Sequence, residues 1–173
     1  MIRDEEIQRL INYTKGLGLK VTFSSKKADY SAFWYLDCSE IVICKNSNKT
    51  KIETILSLVH ELGHALHNIH EKNRTIDTKF EKARDHVDEA EESETDTKKR
   101  QRKIILDSEI AGTNYWHIVY KDTNMKFPLW RLEVAMEFDI YQYRVFYETG
   151  SYPRAKERKK KRRELIGKYR GTK

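Results

Sequence analysis

The chain contains few cysteines and prolines and no long apolar run. Only two of its 173 residues are cysteine and two are proline. Cys38 and Cys44 are too few for a disulfide framework and lack C-x-x-C spacing, so we expect both to be reduced and structural. The longest apolar-rich stretch, residues 52–69, is interrupted by two glutamates and three histidines. Because a membrane span needs ~20 predominantly apolar residues, the sequence excludes a disulfide scaffold and predicts no transmembrane helix.

The chain also starts without the pattern of a signal peptide. Residues 1–6 include three acids, whereas a signal peptide is basic and then apolar. We therefore expect a cytoplasmic protein. Its length suits one domain with a single core. With 38% hydrophobic and 35% charged residues, we expect some segments to remain solvated rather than packed.

Charge is distributed very unevenly along the chain. The formal net charge is +7, but eleven Lys and Arg against two Glu from Pro153 onward give this end +9, which leaves −2 for residues 1–152. We expect residues 151–173 to form a basic tail or helix. Such a run is usually a solvated helix face or tail and only sometimes a surface that contacts nucleic acid; residues 154–173 could also contact an acidic partner. The sequence leaves both interpretations open.

Hydrophobic periodicity predicts an α+β fold. Strand patterns occur at residues 20–23 and, as a hairpin, at 32–36 and 40–44. Helical patterns occupy residues 4–15, 51–70, 103–120 and 128–148. The last of these is apolar nearly all round, so we expect it to be deeply buried. We predict a mainly helical domain over residues 1–150, with a small antiparallel sheet packed on the helix at 51–70 and an acidic mobile insertion at 78–100.

One motif in the predicted helix at 51–70 carries chemistry. His60, Glu61 and His64 match H-E-x-x-H in the middle of a helix, which is the context that the motif requires. Histidines four residues apart share a helix face, so both imidazoles can reach one Zn²⁺ at ~2.0–2.1 Å. Glu61 is offset around the helix, where it can act as a general base on the metal-bound water. The alternative is a solvent-exposed helix face on which histidines occur by chance. The apolar residues that flank the motif on both sides favour the metal site.

A catalytic zinc site needs a third protein ligand and one open position. The preferred candidate is Glu133 in the predicted helix at 128–148. Glu137 lies one turn further on the same face. There it could hydrogen-bond a ligating histidine and fix its orientation without binding the metal itself. In the alternative interpretation, Glu133 and Glu137 belong to a solvent-facing stripe with Arg144.

Other side chains are also candidates for the zinc site. Glu109 is the alternative metal ligand, because it shares a helix face with apolar residues. Asp139 lies on an apolar face and is a candidate for a ligand or for the second shell. His70 has the offset of a third histidine ligand, but His67 occupies the position where the chain would need a glycine to leave the helix. His67 is too far along the helix to share a metal with His60, and we expect it at the rim or in contact with substrate.

The order of helix, short sheet, H-E-x-x-H helix and late helical glutamate resembles the ImmA/IrrE-type zinc metallopeptidases, which are common in phages, mobile elements and bacteria. The resemblance covers residues 1–150, and residues 127–133 are similar to the approach to the ligand glutamate in some phage-type members. That glutamate commonly precedes an alanine by three and an aromatic residue by six, whereas Glu133 precedes Met136 and Asp139. The resemblance implies a zincin-like fold and a cytosolic endopeptidase that cleaves a repressor or stress regulator.

Two functions are compatible with these residues. The first is a zinc-dependent metallopeptidase that cleaves a protein or peptide, with Glu61 assisting the attack of the zinc-bound water. An additional donor to the oxyanion is expected from His117, Tyr120 or Tyr141. The second is a catalytically inactive zincin-fold binding protein that uses its basic tail. Retention of Glu61 favours the enzyme, because a purely structural zinc site needs no base.

Overall fold

The computed structural model describes residues 4–25, 31–35, 39–48, 50–71, 82–83 and 96–171. The predicted acidic insertion at 78–100 lies mostly outside these residues, as does Cys38. Three strands and six helices are found in the described part of the chain. Their bounds are α1 Asp4–Gly16, β1 Lys20–Ser24, β2 Ala32–Tyr35, β3 Glu40–Cys44, α2 Lys51–Glu71, α3 Asp96–Thr113, α4 Trp116–Asp122, α5 Leu129–Thr149 and α6 Ala155–Arg170. The predicted α+β class is confirmed.

The chain divides into two compact units. The first combines Met1–His70 with Gly112–Phe127, and the second combines Glu71–Ala111 with Pro128–Lys173. Helix α3 contributes residues to both units, since its last two residues belong to the first. No helix of the described chain has the length and apolar character of a membrane span.

The sheet is mixed, not wholly antiparallel as the sequence pattern predicted. Its strand order is β1-β3-β2, so β3 is central. The predicted hairpin is present, because β2 pairs with β3 in antiparallel register. Strand β1 instead pairs with β3 in parallel, with Val21 opposite Ile41. Periodicity within β1 could not reveal this direction, because alternation of apolar side chains is the same in parallel and antiparallel strands.

Helix α2 begins with a complete capping box. The Glu53 backbone N–H donates to Thr50 Oγ1 at 3.2 Å, and the Thr50 backbone N–H donates to Glu53 Oε2 at 2.9 Å. This pairing satisfies two donors near the start of the helix. Just before the cap, Asn48 donates to the carbonyls of Ser31 and Cys44 and accepts from the Ser57 hydroxyl at 2.8 Å. The start of α2 is therefore tied to the adjoining hairpin.

We expect Thr50→Ala to lower the free energy of unfolding by ~0.5–2 kcal/mol, since the Glu53 N–H loses its partner at the helix terminus. Thermal and denaturant unfolding of the variant measure this difference. Thr50→Ser is the matched control, because serine keeps the capping oxygen and should retain most of the stability. Equal losses in both variants would show that the cap contributes nothing.

The core of the first unit combines all its helices with the sheet. Its fully buried side chains include Leu10, Ile41, Ile43, Ile55, Leu58, Val59, Leu62, Leu66, Trp116 and Val119. Glu6 is also buried, and its Oε1 accepts hydrogen bonds from the backbone N–H groups of Lys126 at 2.7 Å and Phe127 at 3.2 Å. A buried carboxylate is costly unless it is hydrogen-bonded. Glu6 therefore fixes the segment that precedes Pro128.

The helical pattern predicted over residues 103–120 forms two helices. Helix α3 begins earlier, at Asp96, and ends at Thr113, and α4 follows after a break at Asn114 and Tyr115. The N–H of Tyr115 donates to the carbonyl of Gly112 at 3.1 Å, which closes the tight turn between the helices. Apolar spacing continues across the break, so periodicity alone does not reveal it.

Helix α5 begins after Pro128 and is closed by Gly150, as the sequence predicts. Gly150 has φ 74°, and its N–H donates to the carbonyl of Phe146. The predicted deep burial is wrong, because only Leu132, Val134 and Phe146 are buried on this helix. A helix that is apolar all round can bury only the faces that other elements cover, and most side chains of α5 remain partly exposed.

The basic C-terminal segment forms helix α6, which packs against α5. Leu165 is 1% exposed and faces α5. Lys168 donates to Glu137 Oε1 of α5 at 2.5 Å, and the Tyr169 hydroxyl donates to the same oxygen. Burial favours protonation of Glu137, but the hydrogen bonds from Lys168 and Tyr169 outweigh it and lower the pKa of this carboxyl. One side of α6 therefore packs against α5 and is part of the folded structure.

Candidate metal centre

Two histidines of α2 point their ring nitrogens at one another. His60 and His64 are half-buried, and their Nε2 atoms lie 3.2 Å apart. Their ring centroids are 4.9 Å apart and the ring planes meet at 64°. The His60 ring packs edge-on against Trp116, with centroids 5.5 Å apart, which restricts its orientation. The helical spacing thus places two imidazole nitrogens around one point, as H-E-x-x-H predicts.

Glu109 supplies a carboxylate to the same point. The ligand atoms of His60, His64 and Glu109 all lie within 4.8 Å of one another, and Glu109 is 4% exposed. Glu109 lies three residues before Gly112 on the same continuous helix, and Gly112 lies against the His64 ring. Residues three apart share a helix face, which explains why this carboxylate joins the histidines.

The three side chains fit a divalent metal such as zinc. Tetrahedral coordination at ~2.0–2.1 Å requires ligand nitrogens about 3.3 Å apart, close to the 3.2 Å between the two Nε2 atoms. Two imidazoles and one carboxylate are the donor set of many catalytic zinc sites. Three protein ligands leave the fourth tetrahedral position open, as a hydrolytic site requires. The site can therefore hold a metal ion.

A close contact between glycines of α2 and α3 shapes the site. A Cβ at Gly112 would lie 2.7 Å from His64 Nδ1, and a Cβ at Gly63 would overlap the Gly112 carbonyl oxygen and lie 2.8 Å from Trp116 Cδ1. Glycine inside a helix costs up to ~1 kcal/mol relative to alanine. Glycine occupies both positions despite this cost, because any larger residue would push α3 away from the His64 ring. The sequence alone does not reveal Gly112 as a site residue.

Tyr143 of α5 is a second neighbour that the sequence did not reveal. Its hydroxyl hydrogen-bonds Glu109. Burial, followed by the negative charge of Glu109, raises the pKa of the Tyr143 phenol well above its ordinary value, so the hydroxyl stays protonated as a donor. Tyr143 also packs against the cluster of Ala83, Ile105 and Phe146. This packing restricts the phenol beside the carboxylate of Glu109.

The sequence-predicted carboxylates of α5 are not members of the metal-compatible cluster found in the described residues. Glu133, the preferred third ligand, is half-buried and is not part of the cluster with the two histidines. Glu137 bonds Lys168 and Tyr169 of α6. Asp139 accepts a hydrogen bond from Gln142 at 3.3 Å. The cluster found in the described residues therefore contains Glu109, the alternative ligand, instead of Glu133.

The remaining histidines of α2 contact the turn between α3 and α4. His67 is 8% exposed and lies with its ring centroid 6.0 Å from that of Tyr115. His70 is exposed and its ring stacks on that of Tyr115, with centroids 5.6 Å apart and an interplanar angle of 11°. Both rings therefore pack on an aromatic residue that the sequence did not single out.

The three proposed oxyanion donors have different environments. The Tyr120 hydroxyl donates to the carbonyl of Phe127 at 2.6 Å. Tyr141 lies under the ammonium of Lys161, 5.6 Å from its ring centroid. His117 is exposed on α4. The choice of an oxyanion donor among them stays a prediction.

Glu61 lies on α2 between His60 and His64 and is 8% exposed. One residue along an α-helix turns the side chain by about 100°, so Glu61 borders the face that carries His60 and His64 without sharing it. Its role beside a metal as a general base stays a prediction.

Comparison with known proteins agrees with this site. No curated protein and no solved structure is significantly similar to the chain. The family model Peptidase_M78, described as an IrrE N-terminal-like domain, matches residues 14–105. The match contains His60, Glu61 and His64 and ends before Glu109, and it indicates a metallopeptidase-like domain. Because it covers more than half of a chain that also carries a metal-compatible cluster, this chain belongs to the Peptidase_M78 family.

Proposed function

We propose that this chain is a zinc-dependent peptidase in which His60, His64 and Glu109 hold the metal. The observation that carries the proposal is the convergence of two imidazoles and one buried carboxylate within 4.8 Å, beside Glu61 of the H-E-x-x-H motif. When bound, zinc supplies Lewis acidity that polarises a peptide carbonyl and makes a water acidic near neutral pH. The proposal replaces Glu133 with Glu109 as the third ligand.

Glu61 acts as the proton carrier in this proposal. Its carboxylate accepts a proton from the water that attacks the peptide carbonyl and passes it to the leaving amine. Its low exposure restricts the carboxylate to a few orientations beside His60 and His64. Tyr143 restrains Glu109 through its hydrogen bond, so the donor set needs little rearrangement when a metal binds. The resemblance to ImmA/IrrE-type enzymes supports a repressor or regulator as the protein substrate.

We expect Glu61→Gln to keep zinc while its cleavage rate falls by about 10²–10⁴-fold, since glutamine retains the shape of the side chain but accepts no proton. The original chain and the Glu61→Gln variant are each loaded with one equivalent of zinc and incubated with a proteome-derived peptide library. New N-termini are then counted by mass spectrometry, with and without a chelator.

The matched control is Glu71→Gln, at the exposed C-terminal end of the same helix. It should cleave as fast as the original chain. Cleavage that persists unchanged in Glu61→Gln would contradict the assigned base. Zinc binding without cleavage by the original chain would instead favour the inactive zincin-fold binding protein.

A further inference from the structure

The side of α6 that faces away from α5 carries charges of one sign. Helix α6 holds nine Lys and Arg residues and two Glu residues. Leu165 marks the side that packs on α5. The residues on the opposite side recur at spacings of three, four and seven. They are Lys156, Lys159, Lys160, Arg163 and Arg170, all exposed. We call these five residues the outer basic face.

The acids of α6 do not neutralise this face. Glu157 is used at the start of the helix, where its carboxylate accepts the backbone N–H of Arg154 at 2.7 Å. Glu164 pairs with Lys161 at 2.7 Å, and Lys161 also lies over the Tyr141 ring of α5. Both acids lie on the flank of the helix, about a quarter turn from the Leu165 side. The outer basic face is therefore uniformly positive.

The like charges of the outer basic face destabilise α6 when no polyanion is bound to it. Lys156 and Lys160, and likewise Lys159 and Arg163, are like charges four residues apart. Such pairs repel each other along a helix surface. A polyanion along the face would turn this repulsion into attraction, because it places negative charges beside each pair. The spacing from Lys156 to Arg170 corresponds to ~21 Å of helix. Over the same length, duplex DNA presents about twelve phosphate charges.

We propose that the outer basic face binds the phosphate backbone of a nucleic acid without reading its sequence. An anionic membrane fits less well, because a membrane-surface helix also inserts apolar side chains, and the positions of this face hold only Lys, Arg and Gly167. A protein partner also fits less well, since the centres of protein interfaces are depleted in charged residues, Lys above all. Gly167 lies among the cations with open space around it, which permits close approach of a backbone.

The expected signature is a steep dependence on salt. Five phosphate contacts predict a slope of about −4.5 for the logarithm of affinity against the logarithm of salt concentration. The affinity of the full chain for a labelled 24-base-pair DNA should then fall about 500-fold between 50 and 200 mM salt. Lys156→Gln, Lys159→Gln, Lys160→Gln and Arg163→Gln combined should bind at least about 100-fold more weakly at 50 mM salt. The slope of this variant should approach about −0.9.

The matched control removes the same charge from other exposed positions. Lys15→Gln, Lys99→Gln, Arg100→Gln and Lys121→Gln combined change the net charge equally, and this variant should keep the original slope. Single-stranded RNA of the same length and vesicles with anionic lipid are tested in parallel. Circular dichroism checks that all variants are equally helical.

The outcomes separate the alternatives clearly. Binding to DNA or RNA that is lost only in the α6 variant supports the proposal, and the stronger ligand identifies the source of the phosphates. No binding at 50 mM salt, equal loss in the matched control, or tighter binding to vesicles than to either nucleic acid overturns it. The measurement contains no cleavage step, so failure of the proposed peptidase activity would not affect its result.

Discussion

Glu109→Ala is expected to lower the affinity for zinc by more than about 100-fold, because loss of a direct ligand should exceed the 10–100-fold cost of losing an outer-shell partner. A neighbouring water cannot replace a carboxylate held within reach of two histidines. Glu109→Gln should also weaken binding, since it removes the negative charge while keeping the volume of a buried side chain. Affinity is measured by competition with a chromophoric chelator, and metal content by mass spectrometry.

The matched control for this prediction is Glu133→Ala. Glu133 is the carboxylate that the sequence alone favoured, and it lies outside the cluster with His60 and His64. The variant should keep its zinc. Loss of zinc in Glu133→Ala together with retention in Glu109→Ala would restore Glu133 as the third ligand. His60→Ala is the positive control and should lose the metal, because two ligands do not form a stable site.

Gly112→Ala is expected to impair zinc binding although residue 112 has no side chain at the site. The added Cβ would lie 2.7 Å from His64 Nδ1, whereas ordinary contacts start at 3.4 Å. The His64 ring would therefore move by about 0.7 Å, and metal–ligand distances tolerate only about 0.2 Å. We expect at least a tenfold loss of zinc affinity, together with ~1–3 kcal/mol lower stability from overpacking. Chelator competition and denaturant unfolding measure the two effects separately.

Gly167→Ala provides the matched control for the same chemical change. A Cβ at this position of α6 meets nothing within 4 Å, so alanine should raise the free energy of unfolding by ~0.5–1 kcal/mol and leave zinc affinity unchanged. Gly63→Ala should resemble Gly112→Ala, because its Cβ would overlap a backbone carbonyl that cannot rotate away. If Gly112→Ala bound zinc as tightly as Gly167→Ala, the close helix contact would have no role in positioning His64.

The sequence by itself determined the local features of this protein. Side-chain spacing was enough to predict α1, β1, the hairpin, α2 and the glycine at the end of α5, because each depends on residues that are close along the chain. The same holds for the pair His60 and His64, whose common face follows from the geometry of one helix. Membership of the family was likewise readable from the H-E-x-x-H helix and the order of elements.

Only the tertiary structure decided which features meet across long separations. The parallel pairing of β1 joins it to β3, a strand that does not follow it directly along the chain. The carboxylate that joins the two histidines in the cluster, that of Glu109, follows from Gly112, which brings α3 against His64 at a distance that no larger residue permits. Glu109 and Glu133 have equal ligand chemistry and similar helical contexts, so residue type and spacing could not separate them. The choice between them follows from the packing of helices, which is set by long-range contacts that periodicity does not encode.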